Sequence, residues 1–248
     1  MRVRLEHKSS YIRGDLKISG SKSESNRLLI LQALFPKIQI ENLSNSDDTK
    51  VTMDALNSSD FIIDIHHAGT AMRFLTAYFS IQTDREIILT GSKRMQERPI
   101  RLLVNALKDL GAEISYDKKD GYPPLRIRGK KISKSKVTLP ANVSSQYVSA
   151  LMLIATSLEK GLTIDLVGEI TSVPYIMMTK TILDQLGFDT SYKKNQIQIA
   201  SATFIEPKIW AVESDWSSAS YFYSILALCK RGQINLSTFK KESNQGDS

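Results

Sequence analysis

The sequence lacks several features that would assign it to a class of protein at once. It has a single cysteine, Cys229, so an internal disulfide and a cysteine metal cluster are excluded, and the apolar residues before it predict that it lies in the core. No apolar run approaches the roughly 20 residues that cross a bilayer. Residues 1–6 lead into alternation instead of the apolar core of a signal peptide. We expect a cytoplasmic protein with no membrane partner.

Aromatic residues are also few, at 8% of the 248 residues, and none interleaves with the lysine-rich segments Lys130 to Lys136 and Lys240-Lys241. A groove for single-stranded nucleic acid needs such aromatic residues, so we interpret these segments as solvated and expect no nucleic-acid partner. Lys and Arg number 33 against 26 Asp and Glu, and this net charge of +7 favours anionic partners without identifying them.

Motifs for ATP hydrolysis and for metal binding are missing as well. No Gly-x-x-x-x-Gly-Lys-Ser/Thr loop occurs, and no residue spacing suggests a metal site. Asp47 and Asp48 precede a predicted helix, where carboxylates stabilise the N-terminus, so we interpret them as caps rather than metal ligands. His67, which follows His66 near another predicted helix start, is interpreted as a donor to ligand or backbone rather than as a general base.

What the sequence does contain is an internal repeat. Leu107 to Tyr116 matches Leu183 to Tyr192, 76 residues further on, and each copy is a helix end stopped by Gly and followed by a strand. A second element, a small-residue helix start with an apolar helix after it, begins near Ser23, Gly69, Ser144 and Ser217. The first interval is short, so we expect the first unit to be abbreviated.

Each full unit is predicted to run strand, helix, strand, helix, strand, strand. Examples are a strand at Glu86 to Leu89, a helix at Ile100 to Leu110, and strands at Glu113 to Tyr116 and Leu125 to Arg128. Such alternation predicts an α/β fold with parallel strand pairs and internal pseudo-symmetry.

The repeat also predicts where the domains lie. We expect a complete domain of three units over residues 15–212, with residues 1–14 and 213–248 as pieces of a second, similar domain. The fourth unit reaches only Gln233 to Leu236, about one third of its expected length, which favours a truncated unit over a capping repeat.

Five predicted helix starts carry donors for anions. The first-turn N–H groups of a helix have no intrahelical acceptors and lie at the positive end of its dipole. A single start of this kind is most often an ordinary cap, but five at one end of a pseudo-symmetric domain favour a site for more than one phosphate. The starts are Gly20 to Arg27, His67 to Arg73, Glu97 to Pro99, Ser144 to Gln146 and Ser172 to Tyr175, with Pro99 and Pro174 each predicted as a first helical residue.

Eight blocks of sequence resemble the 5-enolpyruvylshikimate-3-phosphate synthase family of enolpyruvyl transferases. The resemblance implies that phosphoenolpyruvate and shikimate 3-phosphate react through a tetrahedral intermediate to give 5-enolpyruvylshikimate 3-phosphate and phosphate, in aromatic amino acid (chorismate) biosynthesis. It implies no metal and no organic cofactor. The blocks are Gly20 to Arg27, Ala68 to Arg73, Leu89 to Ile100, Tyr122 to Arg126, Ser144 to Gln146, Pro174 to Ile176, Ser217 to Tyr221 and Gln245 to Asp247.

The resemblance also assigns binding residues by matching positions. For phosphoenolpyruvate it implies Lys22, Gly69, Thr70, Arg98 and Gln146. For shikimate 3-phosphate it implies Lys22, Ser23, Arg27, Ser144, Ser145, Gln146, Ser172 and Tyr175.

The acid and base that move protons belong to the second domain in this family, so no catalytic residue is assigned here and little or no turnover is expected of this chain alone. Two departures affect the phosphoenolpyruvate site, because the family usually has Asn where His67 stands and Pro where Phe74 stands.

Two alternatives stay open. The sister enolpyruvyl transferase that acts on UDP-N-acetylglucosamine shares the fold, but it normally has Lys-Asn at the position of Lys22-Ser23. A non-catalytic anion-binding module made of the first domain would carry the same helix starts. In each case we expect a monomer.

Overall fold

The computed structural model describes residues 11–170 and 172–248, in which helices and strands alternate along the chain. The helices are α1 Lys22–Leu34, α2 Asp47–Asn57, α3 Gly69–Ser80, α4 Lys93–Gln96, α5 Arg101–Leu110, α6 Ser145–Ala155, α7 Val173–Leu186 and α8 Trp216–Ala227. The strands are β1 Tyr11–Leu16, β2 Ile38–Glu41, β3 Ile62–Asp64, β4 Glu86–Thr90, β5 Glu113–Tyr116, β6 Leu125–Arg128, β7 Lys136–Pro140, β8 Leu162–Val167, β9 Thr190–Lys193, β10 Gln196–Ile199, β11 Lys208–Ala211 and β12 Arg231–Leu236.

Two four-stranded sheets share one topology, as the internal repeat predicts. Their orders are β3-β4-β6-β5 and β7-β8-β10-β9. In each sheet the first two strands are parallel and the remaining pairs are antiparallel. The predicted strands Glu113 to Tyr116 and Leu125 to Arg128 form with the expected bounds.

The third sheet has two strands instead of four, which confirms that the first unit is abbreviated. It holds only the parallel pair β11-β2, and α2 is followed directly by β3 within residues 58–64. Within residues 11–170 and 172–248, the antiparallel hairpin of the other sheets therefore has no counterpart beside β2. On this strand the side chain of Gln32 donates from Nε2 to the carbonyl of Ile38 at 2.8 Å.

The core lies where α1, α3 and α6 pack against one another. Every residue of α3 is buried, and so are residues 24–31 of α1. A helix that is buried on all sides lies at the centre of a core, and its polar residues must find partners there. Two arginines, Arg27 and Arg73, are among the buried residues. They lie in the second turns of α1 and α3, just behind the N-termini of these helices.

A smaller region contains β1, β12 and α8, with β1 and β12 paired in parallel. The chain passes between the regions twice, and these segments meet at the antiparallel bridge of Gly20 with Ser214. The Ser21 N–H donates to the Glu213 carbonyl at 2.8 Å, and the Asp215 N–H donates to the Ser19 carbonyl at 3.0 Å. The domain boundaries at 15 and 212 stay a prediction, and residues 1–10 lie outside the described residues.

Three local expectations are wrong. Cys229 is only partly buried, because it follows α8, a helix with few neighbours. Pro174 is the second residue of α7 instead of the first. Pro99 lies two residues before the start of α5, because Ile100 takes the N-cap position. Among the described helices, none is long and apolar enough to span a bilayer.

Candidate anion-binding site

The N-terminus of α1 contacts the carboxylate of Asp215, which lies on the second segment that crosses between the regions. Lys22 is the exposed first residue of the helix, and its N–H donates to Asp215 Oδ2 at 3.4 Å. The other carboxylate oxygen of Asp215 caps α8 by accepting from the Ser218 N–H at 2.7 Å. One carboxylate therefore ties two helix starts together, while Ser23 stays half-buried beside it.

Arg27 lies behind this helix start and is only 2% exposed. Nε donates to Thr179 Oγ1 at 2.7 Å and Nη2 to Ser149 Oγ at 3.1 Å. Further bonds run to the carbonyls of Ser23 and Tyr175. Burial lowers the pKa of the guanidinium to about 10, although Tyr175 and Glu24 act to raise it. Arg27 stays charged at neutral pH and holds α1, α6 and α7 together, and its direct contact with a ligand stays a prediction.

The start of α3 meets two other helices. The Thr70 N–H donates to Asp48 Oδ1 at 3.1 Å, so Asp48 of α2 caps α3 across a helix contact, whereas α2 is capped by Ser46. Gln146 of α6 donates from Nε2 to Thr70 Oγ1 at 3.3 Å. The predicted contacts Thr70 and Gln146 are thus brought together from positions 76 residues apart in the chain.

Two guanidiniums crowd the same helix start. A Cβ on Gly69 would lie 2.4 Å from Arg98 Nη1, so a larger residue here would displace the end of the Arg98 side chain. Arg73 is 5% exposed and donates from Nη1 to the Gly69 carbonyl at 2.7 Å, and its buried Nε has no hydrogen-bond partner among the described residues. Burial, and after it the charge of Arg98, lower the pKa of Arg73, while Tyr147 and Asp48 raise it.

Arg98 also lines a cavity of about 440 Å³ together with His67, Arg94 and Met95, which we call the His67 cavity. At its edge, His67 Nε2 lies 3.6 Å from Asp47 Oδ2. The segment that carries Arg98 is held by Tyr147, whose hydroxyl donates to the Pro99 carbonyl at 2.7 Å. Arg94 and Arg98 both line this cavity, and two positive charges around one cavity favour the binding of an anion there.

The remaining predicted residues lie at the starts of α6 and α7. Ser144 caps α6 by accepting from the Gln146 N–H at 3.3 Å, and Ser145 is buried behind it. Ser172 has a left-handed backbone with φ of 58° and is exposed. Tyr175 is 41% exposed on the first turn of α7.

Sequence reasoning missed the residues that position these groups. Ser149 and Thr179 are buried polar side chains inside largely apolar helices, and that contrast is the signal that could have found them. For Asp215 and Tyr147, no pattern in the sequence indicates a partner on another element. Within the described residues, no group of three or more His, Cys, Asp or Glu residues could hold a metal ion.

A family model described as EPSP synthase (3-phosphoshikimate 1-carboxyvinyltransferase) matches residues 7–60 and 56–248 of this chain. The two matched segments meet at the shortened first unit.

Curated relatives carry the same description. A 3-phosphoshikimate 1-carboxyvinyltransferase of Bacteroides fragilis (strain YCH46) is 46% identical over 240 residues, which are 96% of this chain and 58% of the relative. One of Haemophilus influenzae (strain KW20 / Rd) is 36% identical over 270 residues, 96% of this chain and 62% of the relative. The chain thus spans about six tenths of the length of these relatives.

Among solved structures, EPSP synthase from Acinetobacter baumannii superposes with a TM-score of 0.75 at 20% sequence identity. The match covers 94% of this chain and 57% of that one. At this identity the likeness establishes the fold, an α/β architecture of the enolpyruvyl transferase type.

Proposed function

Because the chain belongs to the EPSP synthase (3-phosphoshikimate 1-carboxyvinyltransferase) family, we propose that it forms the substrate-binding part of an enolpyruvyl transferase of aromatic amino acid biosynthesis. Its substrates are then shikimate 3-phosphate and phosphoenolpyruvate. The observation that carries the proposal is the pair Arg73 and Arg98 at the start of α3, since both guanidiniums lie beside the first residue of that helix and two positive charges at a helix N-terminus favour an anion.

The phosphate of phosphoenolpyruvate is proposed to bind at the start of α3. Arg98 supplies the charge, Gly69 and Thr70 form the adjacent backbone, and Gln146 and Lys22 approach from α6 and α1. Gly69 supports this arrangement because its missing side chain leaves room for Arg98. Helix N-terminal amides and a guanidinium are suited to a dianion.

Shikimate 3-phosphate is proposed to bind along the starts of α1, α6 and α7. Lys22, Ser23, Ser172 and Tyr175 are accessible there, whereas Arg27 sets the spacing of the three helices through its buried bonds. Ser144, Ser145 and Gln146 complete this set.

In the proposed reaction the oxygen of a shikimate 3-phosphate hydroxyl bonds to the central carbon of phosphoenolpyruvate as the hydroxyl loses its proton and the methylene carbon gains one, which gives a tetrahedral intermediate. The new methyl group then loses a proton, the bond from the central carbon to the phosphate oxygen breaks, and phosphate leaves as the enolpyruvyl double bond returns. Fixed cations bring the two anions together and stabilise the departing phosphate. No described residue is assigned as the acid or base, so we propose that this chain alone has little or no turnover. We also propose that the chain is cytoplasmic and monomeric.

Calorimetric titration with shikimate 3-phosphate tests the proposal. We expect micromolar binding, tightening of phosphoenolpyruvate binding in its presence, and no measurable release of phosphate. In Arg98→Ala, phosphoenolpyruvate binding should fall by at least tenfold, as expected when a charged hydrogen bond is lost, while shikimate 3-phosphate binding is retained.

The alternatives give different results in the same titration. Binding of UDP-N-acetylglucosamine in place of shikimate 3-phosphate would indicate the sister transferase, and binding of neither would indicate an anion-binding module of another kind. Enzyme-like phosphate release from the two substrates would contradict the proposed lack of turnover.

A further inference from the structure

We propose that His67 is an anion-binding residue of the His67 cavity and that it makes the affinity of this cavity for a dianion depend on pH. The inference rests on the proposed function, because Arg98 of the same cavity is proposed to hold the phosphate of phosphoenolpyruvate. The inference adds a residue whose charge can change with pH, whereas the charges of the arginines and the dipoles of the backbone amides do not.

The position of His67 places it beside the other donors. It directly precedes Ala68, the N-cap of α3, so its side chain begins next to the amides of that helix start. Its ring lines the cavity with Arg94 and Arg98. Arg98 Nη1 in turn lies against Gly69, the first residue of α3. One anion in the cavity would therefore be within reach of an imidazole, a guanidinium and a helix N-terminus.

The charges around the ring explain why anion and proton should bind together. Asp47 of α2 lies 3.6 Å from His67 Nε2, and both side chains are exposed. Asp48 of the same helix accepts from the Thr70 N–H of α3. Arg94 and Arg98 line the same cavity as the ring, and Arg73 lies close enough to Arg98 for that charge to lower its pKa.

A protonated imidazole that shares a cavity with two guanidiniums is repelled by their positive charges, and an anion bound among the three groups offsets this repulsion. Imidazole is the side chain whose ordinary charge change falls between pH 5 and 8. Since linkage is reciprocal, an anion that favours the protonated ring must bind more tightly as the ring gains its proton.

Sulfate is the appropriate probe because it remains a dianion throughout this pH range, whereas a phosphate monoester takes up a proton itself. We expect the dissociation constant of the protein for sulfate, measured by calorimetry, to be about fivefold lower at pH 6 than at pH 8, the size of a partly exposed ion pair. His67→Asn should abolish this difference, because Asn carries no charge at either pH.

His66→Asn is the matched control. His66 is an exposed neighbour that lies next to Asp64 and has a left-handed backbone with φ of 50°, which Asn accepts readily. This variant should keep the full pH dependence. Arg98→Ala should lose most of the sulfate binding, which places the ion in the His67 cavity.

Three results would overturn the inference: a flat pH profile in the parent protein, a pH dependence that persists in His67→Asn, or sulfate binding that does not respond to Arg98→Ala. Each leaves the proposed function standing as long as shikimate 3-phosphate binds. Loss of shikimate 3-phosphate binding with an intact sulfate profile would refute the proposed function and retain an anion site controlled by His67.

Discussion

The helices α3 and α8 have the same length of twelve residues and a similar apolar composition, yet they lie in opposite surroundings. Every residue of α3 is buried, whereas within α8 only Ala219 is. Tyr221 is 73% exposed, and Leu228 just after the helix is 89% exposed. The difference shows that an apolar helix sequence specifies the need for burial but does not supply the neighbours that provide it.

Those neighbours can be named. Helix α3 packs against α1, α2, α5 and α6 and against β4 and β6, while α8 packs against β12. An exposed apolar face of this kind is typical of a surface that another part of a protein covers. The region of α8 therefore contributes less to the stability of this chain than the region of α3. Two predictions test that comparison, and a third compares a buried with an exposed carboxylate.

The largest effect is expected from the side chain of Phe74, which is 1% exposed at the centre of α3. Phe74→Ala should lower the free energy of unfolding by about 3–5 kcal/mol, because it removes apolar contacts and leaves a cavity. Tyr221→Ala in α8 is the control and should change it by less than about 0.5 kcal/mol. Urea denaturation measures both. Equal losses would show that α8 is part of the same cooperative core.

A smaller effect is expected from Thr179, which accepts a hydrogen bond from the buried Arg27 Nε at 2.7 Å. Thr179→Val keeps the shape and should cost about 1–3 kcal/mol, because a buried charged donor is left unpaired. Ser224→Ala is the matched change in α8, where an exposed hydroxyl bonds the Ser220 carbonyl, and we expect almost no loss. A neutral Thr179→Val would mean that Arg27 does not hold the helices together.

The smallest effect is a pH dependence. Burial raises the pKa of Glu24 from its ordinary 4.5, although bonds from Trp210 and the Glu213 N–H and the charge of Lys240 lower it. A raised pKa means that the stability from Glu24 is fully present below the ordinary value and is lost as pH rises through the folded-state value.

Glu24→Gln should therefore gain stability relative to the parent protein as pH increases from 4 to 7. The exposed Glu159 serves as the comparison, since its bond with Lys131 lowers its pKa and gives the opposite sign. In Glu159→Gln the relative stability should fall over the same range. Urea midpoints at several pH values measure both, and slopes of the same sign would contradict the assignment.

Much of the fold could be predicted because its signals are local. Gly111 stops α5, and the Tyr122 to Pro124 turn separates β5 from β6, so both strands were predicted with their bounds. The helix starts at Ser144 and Ser172 were likewise predicted from local signals, and these residues are the N-caps of α6 and α7. The abbreviated first unit followed from the spacing of the repeats alone.

The functional geometry was less predictable because it depends on pairs that are distant in the chain. The contact of Arg27 with a ligand stays a prediction, but its bonds to Ser149 and Thr179, more than 100 residues away, were not predicted. Asp48 was predicted to cap its own helix, but it accepts from Thr70 of α3. Such choices are made by packing between helices, which no local pattern describes.

The hydrogen bond from Gln32 to Ile38 protects the strand edge that is uncovered beside β2, where the other sheets have a hairpin. An uncovered strand edge offers free acceptors on which a second molecule can add a strand, and this leads to aggregation. Beside β2 the amide of Gln32 already occupies the Ile38 acceptor, and the strand is only four residues long. One side chain thus removes an acceptor that a second molecule would need in order to add a strand beside β2.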